Sequence, residues 1–527
     1  MKAARPPLFL MLTAGVVACA IILPFLYLVI RAASIGGDGL WNLISNPRYL
    51  TIMLNSAGMA AIVTLLSTLI AVPLAFLTVR TNLPGRRFWL VATTLPLAVP
   101  SYVGSFALIA TFAPRGSLLQ LLLEPLGVEE LPSIYGWPGV ILSLTLFTYP
   151  YMLMSVRAGL QGIDPSLEEA GRSLGYSSLE TFRRVVLPQL KPSLVAGGLL
   201  VALYSLRDFG TPSLMQFDAF TRAIFIQYKT SFDRNTAAAL SLMLVALVMA
   251  ILWVEYRVRS RAAYYTRGSA SLRPPKIIKL GIWKWVAFAF CLVITLLGVA
   301  LPVGTSIFWL LRGILNSDYQ IPNLFPAIFN SVSAAGLAGL VTTMFALPIA
   351  ILSVRFPSRI TAMIERCSYI AFGLPGIVVA LAVVFFGANY LPLLYQTLPM
   401  LVFAYLVLFV PQSVGSIRSS LLQVSPRLEE SARSLGRTPW QTLKEVTIPL
   451  VSPGLVSGGV LVFLTAIKEL PATMMLAPIG FNTLAVEIWK ATENVDFDDA
   501  ASASLAMLFV SMISTFLVLS QEKKAQS

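Results

Sequence analysis

Two pairs of ionisable residues stand out in a chain of which only 12% is charged: Arg207-Asp208 and Lys468-Glu469, each a base followed by an acid near the outer end of a long apolar stretch. An ionisable group close to membrane depth is costly enough to mark a functional position by default. Two chemistries suit these four residues. Asp208 and Glu469 can act as transient hard-oxygen ligands to a passing hard cation. Alternatively, the four charges pair with one another and close an outer gate.

Much other chemistry is excluded. The chain has no histidine, which removes histidine metal ligands, Ser-His-Asp and Cys-His catalysis and histidine proton relays. Cys19, Cys291 and Cys367 lie far apart in or beside apolar runs, so neither a disulfide framework nor a zinc site is indicated. No GxxxxGK[ST] occurs, so the chain has no P-loop for nucleotide phosphates. With no metal cluster or nucleophile constellation, an enzyme is not expected.

The elements that position the charged pairs are apolar helices. The 527 residues are 57% hydrophobic, and a bilayer core needs about 20 apolar residues per helix. About twelve such stretches can be marked: residues 8–30, 52–79, 88–112, 138–157, 193–214, 236–256, 285–310, 329–354, 368–388, 397–417, 454–477 and 500–520. The first reads as an uncleaved anchor, since its apolar run exceeds a signal-peptide core and no A-x-A site follows. The net charge of +14 is unevenly distributed. Alternating the loops places about 28 of the 38 basic residues on the side holding both termini, which the positive-inside rule makes cytoplasmic. The fold class expected is an all-α polytopic membrane protein in an inner (plasma) membrane, with lipid as a surrounding partner and no nucleic acid.

The chain repeats itself. Residues 165–198 and 426–459 align with about 16 of 34 identities at an offset of about 261. Upstream, Asn55-Ser56 matches Asn330-Ser331, Pro73 matches Pro348 and Arg80 matches Arg355 at an offset of about 275. The first copy therefore holds roughly 14 extra residues, placed most simply in the loop 112–137. Residues 1–256 form a first transmembrane half, 257–284 a basic cytoplasmic linker containing Arg273-Pro274-Pro275-Lys276, and 285–527 a second half. Two parallel six-helix repeats imply a pseudo-two-fold axis along the membrane normal.

Between the fourth and fifth span of each half lies a polar loop with strong local signals. Asp164-Pro165 and Ser425-Pro426 each set a capping oxygen before a proline at the first helical position. Gly175 and Gly436 supply the left-handed residue that ends that helix. Ser177 to Glu180 and Thr438 to Gln441 fit the capping box and start a second short helix, which Leu187-Pro188 and Ile448-Pro449 are expected to stop. Lys191-Pro192 and Ser452-Pro453 then start the next span. Leu167, Ala170, Leu174, Leu179 and Phe182 are spaced so that part of the loop can face a partner. A cap that packs only on its own bundle is the alternative.

Glu169-Ala170-Gly171, Gly175 and Val185-Val186-Leu187-Pro188, with Glu430-Ser431-Ala432, Gly436 and Val446-Thr447-Ile448-Pro449, resemble the EAA loop of permease subunits of binding-protein-dependent ABC importers. Each copy departs at one small residue of the triplet and at the isoleucine. Lys468 to Leu476 with Gly480 to Ala485, and Asp208 to Pro212 with Phe220 to Ile224, resemble the ferric-iron branch, whose permeases fuse two halves in one chain. Thiamine, phosphonate, sulfate and polyamine permeases are relatives and remain alternatives.

The resemblance implies a type I importer permease that couples through Glu168, Glu169, Ala170 and Gly175 and through Glu429, Glu430, Ser431 and Gly436. Its partners would be two copies of a cytoplasmic ABC ATPase subunit, which bind the ATP and Mg, and an extracytoplasmic (periplasmic) substrate-binding protein. This chain would bind no cofactor. On this reading the cation at Asp208 and Glu469 is Fe(III), and Arg207 and Lys468 belong to the same pathway or gate. Acidic Glu487, Glu493, Asp496, Asp498 and Asp499 could dock basic patches of the binding protein. An ion-coupled secondary transporter with two parallel halves is the reading from a different class. Against it, the span interiors carry no relay of carboxylates and histidines, and the helix-glycine-helix loops have no purpose without a motor.

Overall fold

The computed structural model describes residues 6–231, 233–260, 277–316, 324–370 and 373–526. Among them the chain is helical, with one isolated bridge between Thr81 and Ile278. Residues 261–276 of the expected linker lie outside the described residues.

Among the described residues nine helices are long and apolar enough to cross a membrane, and a bent pair makes a tenth if it counts as one span. Two of the three expected spans outside these nine are broken at a proline. The third span is broken: Arg86–Ala98 and Ser101–Phe112 meet at 93°. Val99 precedes Pro100, and both take extended ψ angles, 120° and 142°, as the clash of a proline ring with the preceding residue requires. The ninth span has the same construction at the equivalent Pro375, between Arg359–Ile370 and the short apolar helix Gly376–Tyr390. The twelfth falls on the helix Phe497–Gln526, and its side chains beyond residue 512 lie outside the described residues.

The fifth and eleventh spans are also interrupted, at the charged pairs themselves. Leu187–Arg207 ends before Asp208, and Gly210–Leu214 follows. Ile448–Ala466 is followed, after Lys468-Glu469, by Pro471–Leu476. The expected stops at Leu187-Pro188 and Ile448-Pro449 do not occur. A π turn precedes each proline, over Phe182–Val186 and Leu443–Thr447, and the helix runs on through it. The wider turn carries the Leu187 N–H to the Phe182 carbonyl and the Ile448 N–H to Leu443, which accommodates a residue that has no N–H of its own. Pro192 and Pro453 accordingly sit inside the helices.

The described chain forms two compact units. One comprises Met1–Ile44, Ile224–Leu242 and Ser317–Ser527; the other comprises Ser45–Ala223 and Met243–Asn316. These units and the halves of the repeat are different divisions of the chain, because the first helix of each half is grouped with the spans of the other. Within each unit the most enclosed span is the same repeat position, Trp137–Gln161 in one and Leu398–Gln423 in the other. Outer helices such as Leu8–Ala33 leave Leu8, Leu12 and Val16 exposed, as lipid-facing surface requires.

Candidate functional site

The first loop helix, Pro165–Ser173, starts where the Asp164 carboxylate accepts the Ser166 N–H at 2.9 Å. It ends where the Tyr176 N–H reaches back to the Gly171 carbonyl at 3.2 Å, with Gly175 at φ +88°. This is the Schellman closure that a left-handed glycine allows. The second loop helix, Pro426–Ser434, ends in the same way: Arg437 N–H to Ala432 carbonyl at 3.1 Å, Gly436 at φ +85°. Its start differs in that Ser425 makes no side-chain cap, while the backbone bond from the third helical N–H to the cap carbonyl is the same in both loops, Leu167 to Asp164 and Leu428 to Ser425 at 3.2 Å.

Both capping boxes form. Ser177 N–H donates to Glu180 Oε2 at 3.0 Å while Glu180 N–H donates to Ser177 Oγ at 3.3 Å, and the Ser177 backbone and hydroxyl hold the Glu180 carboxyl below its usual range. Thr438 and Gln441 repeat the exchange at 3.0 and 3.3 Å. The side chains of Ser178 and Leu179 lie outside the described residues.

Adjacent glutamates in each loop face opposite ways. Glu168 Oε1 pairs with Arg80 Nη1 at 3.1 Å, and Arg80, 3% exposed, also donates to the Leu160 carbonyl at 3.1 Å. Glu429 Oε1 pairs with Arg355 Nε at 3.1 Å and accepts from Thr447 Oγ1 at 3.2 Å, while Arg355 donates to the Val424 carbonyl at 2.9 Å. Each loop helix is thus tied to the end of the second or eighth span by a buried Arg–Glu pair. Glu169, Ala170, Glu430 and Ser431 face outward and are exposed.

The apolar tips are exposed at equivalent positions: Leu167 by 47% and Leu174 by 76%, Leu428 by 49% and Leu435 by 85%. Phe182 does not belong to that outward set, since its ring packs edge-on against Phe76 at 5.8 Å. The anchors Arg80 and Arg355 were not identified as site residues from sequence. Their repeat correspondence was the available signal, and it said only that they were equivalent.

At the other charged positions, Asp208 is buried and both its oxygens are engaged within its own unit. Oδ1 accepts the Thr211 N–H at 2.8 Å and Oδ2 accepts the Ser101 hydroxyl. Ser101 opens the helix after the break in the third span, so Asp208 staples one break to another. Behind it Ser105 donates to Thr211 Oγ1 at 3.0 Å and shares a 2.8 Å bond with Ser143.

The second half is built differently. Glu469 Oε1 accepts the Ala472 N–H at 3.3 Å and lies 2.6 Å from where a Cβ on Gly376 would stand. At the repeat offsets, Ser101, Ser105, Ser143 and Thr211 become Gly376, Ala380, Ala404 and Ala472. Arg207 and Lys468 are part-buried. No group of three or more Cys, Asp or Glu residues suited to a metal occurs among the described residues.

Asn55-Ser56 and Asn330-Ser331 act as matching clasps. Asn55 Nδ2 donates to the Asp218 carbonyl at 3.2 Å and Ser56 Oγ accepts the Phe220 N–H at 3.0 Å. Asn330 Nδ2 donates to the Asn482 carbonyl at 3.0 Å and Ser331 Oγ accepts the Leu484 N–H at 2.8 Å. Beyond the second clasp, burial together with Asp496, Asp498 and Glu487 pushes the Asp499 carboxyl up. Four of the five acidic residues singled out there are thus gathered in space.

Comparison with known proteins accords with this duplicated architecture. The family described as "Binding-protein-dependent transport system inner membrane component" matches residues 67–264 and again 342–523. The Fe(3+)-transport system permease protein FbpB 2 of Haemophilus influenzae is 34% identical over 98% of both chains. The ferric transport system permease protein FbpB of Actinobacillus pleuropneumoniae is 24% identical over 87% of this chain and 69% of its own. The sulfate transport system permease protein CysT of Salmonella typhimurium is 25% identical over 46% of this chain and 89% of its own.

Proposed function

The chain belongs to the family of binding-protein-dependent transport system inner membrane components, and from that membership we propose that it is the ferric-iron permease of an ATP-driven importer. It is a multi-pass inner-membrane transport subunit rather than an enzyme. In the proposed mechanism the two loops dock on two copies of a cytoplasmic ATPase, which binds and hydrolyses ATP with Mg. Both termini share the cytoplasmic side with the loops. An extracytoplasmic binding protein delivers the substrate, and alternating access moves it inward. The relative that is 34% identical over 98% of the fused chain bears a ferric name, a second that matches 91% of it names no substrate, and the sulfate relative corresponds to one half; the first of these favours iron.

The observation that carries the coupling role is the pairing of exposed and buried features on one short helix, repeated twice. Leu174 and Leu435 protrude into solvent at the helix tips, while Glu168 and Glu429 tie the same helices to the bundle through Arg80 and Arg355. An apolar tip needs a partner surface, and a buried ion pair transmits a push because breaking it leaves an uncompensated charge.

Asp208 and Glu469 act on this reading as positioning residues for the broken spans that line the pathway. Asp208 accepts the Thr211 N–H and the Ser101 hydroxyl, and Glu469 accepts the Ala472 N–H, bonds that hold the short helix after each break. The experiment is uptake of radiolabelled Fe(III), sulfate and thiamine by vesicles containing the permease with its matched ATPase and binding protein. ATP-dependent uptake of iron alone is expected. Uptake of another solute overturns the substrate, and uptake that runs without ATP overturns the importer.

A further inference from the structure

A cavity of about 510 Å³ opens behind the second loop helix, at the end of the bundle that the reading above assigns to the cytoplasm. Phe9, Leu10, Ile351, Phe356, Trp440 and Leu443 supply its apolar walls. The repeat explains why space is left here. Phe76 and Phe182 fill the equivalent position in the first half by edge-to-face packing at 5.8 Å. At the repeat offsets they become Ile351 and Leu443, and replacing two aromatic rings by two smaller aliphatic side chains opens the site.

The charges around the cavity do not cancel. Arg355 and Glu429 neutralise one another at 3.1 Å. Arg433, which also lines the cavity, has no ion-pair partner among the described residues. Arg427 and Lys444 add two positive charges on the same loop and Glu430 one negative, so the loop remains net basic. The mouth is aromatic: Phe9 and Trp440 meet edge-on at 6.0 Å and are 59% and 60% exposed. Leu10 and Ile351 belong to membrane-crossing helices, whereas Arg433 and Thr438 belong to the polar loop. The cavity therefore straddles the level at which lipid headgroups give way to acyl chains, where aromatic rings concentrate.

We propose that this cavity binds one anionic phospholipid of the inner leaflet, with its phosphate beside Arg433 and an acyl chain against Trp440 and Leu443. Arg binds phosphate through charge-assisted hydrogen bonds, and basic groups at the cytoplasmic surface favour anionic lipid. Because Glu429 and Arg433 belong to the loop helix, occupancy braces the second coupling loop and not the first. The two ATPase contacts then differ in their lipid dependence. The choice of leaflet rests on the orientation proposed above, whereas the existence of the site does not.

The test compares the intact complex with the I351F/L443F variant, which restores the aromatic pair of the first half. Each is purified, exchanged into nanodiscs of defined phosphatidylglycerol and phosphatidylcholine content, and assayed for retained lipid by native mass spectrometry. Wild type should retain one phosphatidylglycerol that the filled variant releases. R433Q should lower the preference for phosphatidylglycerol over phosphatidylcholine about tenfold, the scale of one charge-assisted contact. Unchanged melting and gel-filtration behaviour of the variants excludes misfolding. Equal retention by wild type and the filled variant overturns the site, and equal retention of both lipids by wild type overturns its anionic character. Loss of ATPase binding with lipid retention unchanged identifies the cavity as a protein contact and also overturns the proposal. None of these readouts requires transport, so failure of the importer reading would show in uptake alone.

Discussion

Ser101 donates its hydroxyl to Asp208, while at the equivalent place in the second half Gly376 leaves room for the longer Glu469, whose Oε1 lies 2.6 Å from the absent Cβ position. The two halves reach the same connection between broken spans by opposite distributions of length, a short acid with a reaching hydroxyl or a long acid with no side chain opposite. Since Ser105, Ser143 and Thr211 are replaced by alanines along with it, the hydroxyl network of the first break is absent from the second, where Thr473 donates to the Glu469 carbonyl at 2.6 Å and shares a 2.6 Å bond with Tyr405 instead.

The staple predicts a rescue. In S101G the Asp208 carboxylate loses a buried donor, at a cost of about 1–3 kcal/mol. D208E alone crowds Ser101. The double variant S101G/D208E copies the second half and should recover most of the melting temperature and uptake lost by either single change. Additive losses in that double variant would show that the two residues act independently.

The bends at Gly175 and Gly436 should be sensitive to backbone conformation alone. A Cβ at either position meets nothing within 4 Å, yet φ is +88° and +85°. Gly175→Val with Gly436→Val should cost about 1–2 kcal/mol at each site and re-aim Leu174 and Leu435. ATP hydrolysis should then continue without uptake. Normal uptake per ATP in reconstituted vesicles would remove the loops from the coupling mechanism.

Buried anchors should matter more than exposed acids. Replacing Arg355 by Gln leaves Glu429 buried and unpaired, a loss on the order of 3–5 kcal/mol. Glu430→Gln, on the exposed face, should change stability by less than about 0.5 kcal/mol. Thermal melting of the two variants in the same detergent checks the ordering, and ATPase co-purification checks whether Glu430 instead contributes to docking.

The acidic group at Asp499 should show a pH signature. Its carboxyl is raised by burial and then by Asp496, Asp498 and Glu487. A raised carboxyl contributes stability that is complete below the unfolded value, about 3.9, and is lost as pH rises through the folded value. Asp499→Asn should therefore melt above wild type at neutral pH, with the gap narrowing on acidification. A gap that stays constant from neutral to acid pH would mean that the repulsion is not felt.

The duplication, the apolar spans, the two helix-glycine-helix loops and their capping boxes were legible in sequence. Each is written in residues close together, whose periodicity and turn chemistry act locally. Asn55-Ser56 and Asn330-Ser331 were legible as a repeat but not as clasps, because their bonds reach residues more than 150 positions away. The choice between Glu168 and Glu169 as the inward acid depended on where Arg80 ends its helix. The breaks at Pro100 and Pro375 could not be told from prolines such as Pro73 and Pro348, which stay inside continuous helices. An apolar run around a proline is compatible with either outcome. Packing decides, through the partners it supplies for the freed backbone groups. The pairing of Ser101 with Asp208 spans 107 residues, and no local pattern encodes it. Sequence determined that this protein is two copies of a membrane unit, each bearing a helix-glycine-helix loop. Tertiary structure decided which charges anchor, which face outward, and where one copy has a cavity that aromatic rings fill in the other.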